Sequence, residues 1–132
     1  MILLDANVIL DIWDRDPLWH AWSSSQLRAQ SLLHELAINS FVYAEISARF
    51  ATAAVLDERL LDLGVTVVSI SRGASFLAGK AFVQYRRQGG TKGNLLPDFF
   101  IGAHAAVLGC PLLTRDIRRY AADFPGVRLI VP

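Results

Sequence analysis

The chain has 132 residues, 53% of them apolar, a formal net charge of +1 and a single cysteine. That length suits one compact domain spanning 1–132, with enough apolar residues to bury a core unaided. One cysteine excludes an intrachain disulfide, and a near-neutral charge supplies no bulk attraction for nucleic acid, so any such contact needs a local cationic patch.

The opening "MILLDANVIL" is apolar at once, lacks a basic leader and is interrupted by Asp5 and then Asp11. The longest apolar stretch, "FFIGAHAAVLGCPLL", is too short to span a bilayer. A soluble, cytoplasmic protein is expected. Five apolar runs read as short strands buried on both faces: "ILLD" near residue 2, "ELAIN" near 35, "VTVVSI" at 65–70, "PLLT" at 111–114 and "VRLIV" at 127–131. Helical stretches lie between them. One starts with Asp16 as N-cap and Pro17 at the first helical position. Another runs from Ser40 to Gly64, as two helices. A third runs from near Ser71 to the Gly89–Gly90 pair, a fourth from Pro97–Asp98 to Gly109, and a short last one follows Thr114. Strand and helix alternate, so the fold class is α/β: a three-layer sandwich with a mostly parallel five-stranded sheet flanked by helices.

Sites in such sheets gather beyond the carboxyl ends of strands. Four acids meet that condition. Asp5 ends the first strand. Glu45 lies on the first turns after the second. Asp98 opens the helix leading into the fourth, and Asp116 follows the fourth. Each has a plain structural reading: Asp5 and Asp116 as helix caps, Asp98 as an acid favoured by a helix N-terminus. Four carboxylates together repel unless protons or cations neutralise them. Hard oxygen donors suit Mg²⁺ or Mn²⁺, and two such ions roughly 3.5–4 Å apart could hydrolyse a phosphodiester. Asn7 and Thr114 are placed to steady the acids.

On these residues the sequence resembles PIN-domain proteins, and among them the VapC-type toxin ribonucleases of toxin–antitoxin pairs. The matching stretches are "LLDANVILD" at 3–11, "VYAEI" at 42–46, "LLPDFFIGAHAAVLGCPLLTRD" at 95–116 and "YAADFPGVRLIVP" at 120–132. The resemblance implies that Asp5, Glu45, Asp98 and Asp116 are catalytic and metal-binding. Asn7 and Thr114 fall at supporting polar positions. It further implies an Mg²⁺- or Mn²⁺-dependent endoribonuclease, commonly a homodimer, silenced by a cognate antitoxin protein.

An RNA substrate must be held. Arg86, Arg87 and Lys92 fall in or before the loop leading to Asp98, and Arg115, Arg118 and Arg119 surround Asp116; Lys92 and Arg115 are the best candidates for phosphate contacts. Each could equally lie on a solvated face. Trp13, Trp19 and Trp22 read as core, or as a face covered by a partner. His104 reads as packing. Asp11, Asp14, Asp57, Glu58 and Asp62 read as solvated or capping charges. Two other functions compete. A non-catalytic PIN-like module would bind RNA or protein without cutting. A haloacid-dehalogenase-type phosphotransferase would use Asp5 as nucleophile, with Lys92 and Asp116 as partners. That chemistry wants Asp-x-Asp at the first turn, and Asn7 stands at the second position.

Overall fold

The computed structural model describes residues 1–91 and 96–132. Its elements alternate along the chain: β1 (Ile2–Leu4), α1 (Ala6–Trp13), α2 (His20–Ser31), β2 (Leu36–Asn39), α3 (Ser40–Ser47), α4 (Ala53–Leu63), β3 (Val65–Val68), α5 (Arg72–Arg87), α6 (Leu96–Leu108), β4 (Leu112–Leu113), α7 (Ile117–Ala121) and β5 (Leu129–Ile130). The five strands form one all-parallel sheet in the order β3-β2-β1-β4-β5. The expected α/β sandwich is therefore observed.

The sheet is hydrophobic where it is covered. Ile2, Leu3, Leu4, Leu36, Ala37, Ile38, Leu112 and Leu113 are buried, which continuous apolar runs allow when helices cover both faces. The edges depart from the expectation of burial on both faces. Thr66 and Val67 of β3 are exposed and β5 is half-buried, because an edge strand has a neighbour on one side only. The strands are also shorter than their apolar runs: β4 pairs over Leu112–Leu113 and β5 over Leu129–Ile130 only.

Helix boundaries follow local chemistry in most places. The Asn39 side chain caps α3 by accepting from the Phe41 and Val42 amides; Thr52 caps α4 and Ser71 caps α5. Gly64, at φ +71°, closes α4 in the left-handed conformation. One start is a correction. Asp16 does not cap α2. Its Oδ1 accepts from the Leu18 and Trp19 amides (2.8 and 2.9 Å), making a separate turn, and the helix begins only at His20.

The order places the site. From β1 the chain builds outward through β2 and β3, then crosses back to add β4 and β5 on the other side of β1. Strand order reverses between β1 and β4, which opens a crevice beyond their carboxyl ends. Helix α6 leads into β4, so its first turn lies at that same edge. Gly102 lets the tail fold onto α6: a Cβ there would run into the Phe124 ring. Among the described residues no helix is long and apolar enough to cross a membrane.

Candidate functional site

Asp5 is delivered to the crevice by the central strand of the sheet and is itself only 3% exposed. Its Oδ1 accepts from the Ala6 amide at 2.8 Å, so it does cap α1. Its Oδ2 does more. Three donors converge on that one atom: Thr114 Oγ1 at 2.8 Å, Tyr120 Oη at 3.0 Å and Asn7 Nδ2 at 3.1 Å. Burial pushes the Asp5 carboxyl up, and the bonds from Thr114, Tyr120 and Ala6 pull it back. Three donors on a desolvated oxygen are what an ionised carboxylate needs to persist under cover.

Asn7 and Thr114 are held in turn. Asn7 Nδ2 also reaches Thr114 Oγ1 (3.3 Å), and Asn7 Oδ1 accepts from the Arg115 amide (3.4 Å). The Asp116 amide donates to Thr114 Oγ1 at 3.1 Å. Thr114 thus ties the end of β4 to the end of β1 and fixes the backbone that carries Asp116. Asp116 precedes α7 but makes no side-chain cap, and its carboxylate lines the crevice, where it pairs with Arg119.

Glu45 on α3 and Asp98 in the first turn of α6 are set against each other by a buried clasp. The Asn39 amide nitrogen lies 3.4 Å from His104 Nδ1, and the Phe41 and Phe100 rings stack at 4.1 Å. Burial holds the His104 imidazole below its ordinary pKa, so it stays neutral and its Nδ1 can accept. His104 is packing, as its sequence context suggested, and it positions two helices.

Glu45, Asp98 and Asp116 line one cleft together with Tyr85, Arg118 and Arg119. Asp5, Asn7, Glu45, Arg115 and Arg119 line the adjoining one. All four sequence-selected acids therefore lie at one edge of the sheet. The Asp98 carboxyl is pushed up to about 6: burial raises it, Arg119 opposes, and Asp5 and Asp116 raise it further. Glu45 is also raised, by burial and then by Asp5 and Asp98. Yet among the described residues no three His, Cys, Asp or Glu side chains stand close enough to clasp one ion. Arg119 lies between two of the acids, with Nη1 3.3 Å from Asp98 Oδ1 and Nε 3.0 Å from Asp116 Oδ2. The donor set nonetheless fits a hard divalent cation. It consists of carboxylate oxygens, and their mutual crowding is the kind that bound positive charge relieves. Asp5, Glu45, Asp98 and Asp116 are the side chains that could supply its ligands, once the arrangement around Arg119 opens enough to bring their oxygens together.

Several readings need correction. Asp11 is not a solvated charge. It is 3% exposed, accepts from Ser23 Oγ at 2.8 Å and pairs with Arg115 Nε at 3.0 Å. Arg115, in turn, is not simply a free rim cation: its guanidinium also lies over the Trp19 ring, 5.5 Å from the centroid. Lys92 lies outside the described residues. Trp13, Trp19 and Trp22 are half-buried; Trp13 packs edge-on against Phe50, and Trp19 against Trp22. Sequence reasoning passed over Tyr120, Asn39 and the Asp11–Arg115 pair. It named Arg119 only as one of several cations. An Arg-Arg-Tyr run on a short amphipathic helix after Asp116 was the available signal for Tyr120 and Arg119. Nothing local marked Asn39 beyond its capping chemistry.

Fold and site together define an α/β domain with a parallel sheet and an acid-lined crevice where strand order reverses. The chain matches the PIN domain over residues 2–125 and belongs to that family. Solved structures repeat the fold at low identity. VapBC2 from Rickettsia felis, bound to a DNA fragment from its promoter, superposes with a TM-score of 0.77 at 21% identity, covering 100% of this chain and 99% of the other. VapBC-1 from nontypeable Haemophilus influenzae gives 0.72 at 24%, covering 99% and 98%. A toxin–antitoxin complex from Klebsiella pneumoniae gives 0.70 at 21%, covering 100% and 98%. No curated protein sequence matches the chain significantly.

Proposed function

We propose that this PIN-domain chain is a metal-dependent endoribonuclease, the toxin of a toxin–antitoxin pair. The observation that carries the reading is the meeting of Asp5, Glu45, Asp98 and Asp116 at one sheet edge from four separate elements, with Asp5 kept under cover by three donors. Burying a carboxylate is costly, and a fold that only needed a helix cap would leave it in water. That the similar solved structures are of toxin–antitoxin complexes supports the toxin assignment.

When bound, Mg²⁺ or Mn²⁺ would activate the attacking water and offset the charge that builds on the phosphate. The chain's own residues supply the rest. Asp5, Glu45, Asp98 and Asp116 are the metal-holding acids. Thr114, Asn7 and Tyr120 orient Asp5 so that its position does not depend on the ion. Arg115, which lines the cleft while its Nε pairs with Asp11, is proposed to contact backbone phosphates with its remaining N–H groups, and Lys92, outside the described residues, is proposed for the same role. Homodimer formation, a cytoplasmic location and an antitoxin partner belong to the same proposal. The face proposed for an antitoxin segment is that of the half-buried Trp19 and Trp22, next to the 75% exposed Leu18. The proposed metal role leaves Asp5 as a ligand and not a nucleophile, and Asn7 offers no general acid for phosphotransfer.

The test is cleavage of total cellular RNA by purified protein with Mg²⁺, with EDTA, and with Asp98→Asn in parallel. Discrete cuts that need metal and vanish in the variant support the proposal. Folded, metal-bound protein that makes no cuts favours the non-catalytic module, for which the ion pairs of Arg119 across the acids are the specific argument.

A further inference from the structure

Arg119 is the cation that the acid cluster keeps for itself. It bonds to Asp98 Oδ1 and Asp116 Oδ2, and it lines both clefts at their junction. Its positive charge bears on all four acids. The oxygens it uses are those a divalent ion would need, and a guanidinium beside a dication is a like-charge contact. Each carboxylate keeps its second oxygen, so the competition is for the space and charge between them: a guanidinium 3.0–3.3 Å from both acids fills the gap and repels an incoming cation.

The side chain can also leave cheaply. It is 45% exposed and its pair with the 36% exposed Asp116 is weak, while the buried Asp98 carboxylate, which would be costly to strand alone, passes to the incoming cation. Its neighbour Tyr120 is fully buried and bonded to Asp5, so the backbone of α7 is anchored. Releasing Arg119 therefore takes a change of rotamer and no movement of the helix.

We propose that Arg119 is a resident counter-cation: it holds Asp98 and Asp116 in place in the metal-free protein, and the divalent ion must displace it to bind. Arg119 is thus a positioning residue that competes with the metal. This rests on the metal reading above, and the sign of one measurement separates it from a merely structural role. An arginine that only braced the site would weaken metal binding when removed. A competitor tightens it.

The experiment is calorimetric titration of Mn²⁺ into the chelator-stripped full chain, wild type against Arg119→Gln and Arg119→Lys. Arg119→Gln should bind roughly tenfold tighter, as loss of two partly exposed pairs implies, with Arg119→Lys between the two. Equal or weaker binding by Arg119→Gln overturns the inference while leaving the metal reading intact. No Mn²⁺ binding by wild type overturns both. Should Arg119→Gln fail to fold, the Nε–H resonance of Arg119 in the wild-type protein decides. It should shift in step with Mg²⁺ occupancy, and a resonance unmoved at saturation overturns the proposal.

Discussion

Tyr120→Phe isolates one bond at the centre of the site. The ring is fully buried and Phe keeps its packing, so the change removes the hydroxyl and little else. What is lost is the 3.0 Å donation to Asp5 Oδ2. A hydrogen bond to a charged group contributes about 1.5–3 kcal/mol, so the variant should be less stable by about 2 kcal/mol at neutral pH. For a domain of this size that is a fall in Tm of roughly 6–10 °C. The loss should depend on pH. Tyr120 favours the ionised form of Asp5, whose pKa burial already raises, and removing the bond raises it further. A carboxyl with a raised folded pKa destabilises the fold as pH climbs from its unfolded value through its folded one. The gap between wild type and variant should therefore be widest at neutral pH and narrow as Asp5 protonates. Urea unfolding in EDTA at a series of pH values reads this directly. A gap below about 0.5 kcal/mol, or one that does not change with pH, would refute the claim that Tyr120 holds Asp5 as a carboxylate.

The same linkage makes Asp98 visible in the wild-type protein. Its pKa is raised to about 6 from 3.8, so metal-free protein should lose stability, by about 3 kcal/mol at most, as pH rises from about 4 to 6. Asp98→Asn should flatten that part of the unfolding profile, and an unchanged slope would show that another group titrates there. The Asp11–Arg115 pair should respond asymmetrically. Arg115→Met strands a carboxylate that is 3% exposed and should cost about 2–4 kcal/mol. Asp11→Asn leaves an arginine that can turn to solvent and should cost less; equal losses in urea unfolding would argue that Asp11 is not buried as a charge.

Much of the fold was legible because its signals are local. An apolar run between turn residues makes a buried strand, and alternation with helices makes the sheet parallel. The four acids were found by the same logic, since the carboxyl end of a strand is a position along the chain. Local rules also misled. Asp16 and Pro17 look like a helix start, but the Asp16 carboxylate is spent on a turn and α2 begins later. Asp11 looks like a surface charge because its partner lies 104 residues away.

The sequence by itself determined the strand cores, the helix end at Gly64 and the helix start at Ser71, and which acids stand beyond strand ends. Only the tertiary structure decided what surrounds them: Tyr120 on Asp5, Arg119 across Asp98 and Asp116, and Arg115 against Asp11. The physical reason is range. Capping and burial patterns act within a few residues, whereas Asp5 and Tyr120, 115 residues apart, meet because β4 pairs beside β1 and brings the chain after it to the end of β1.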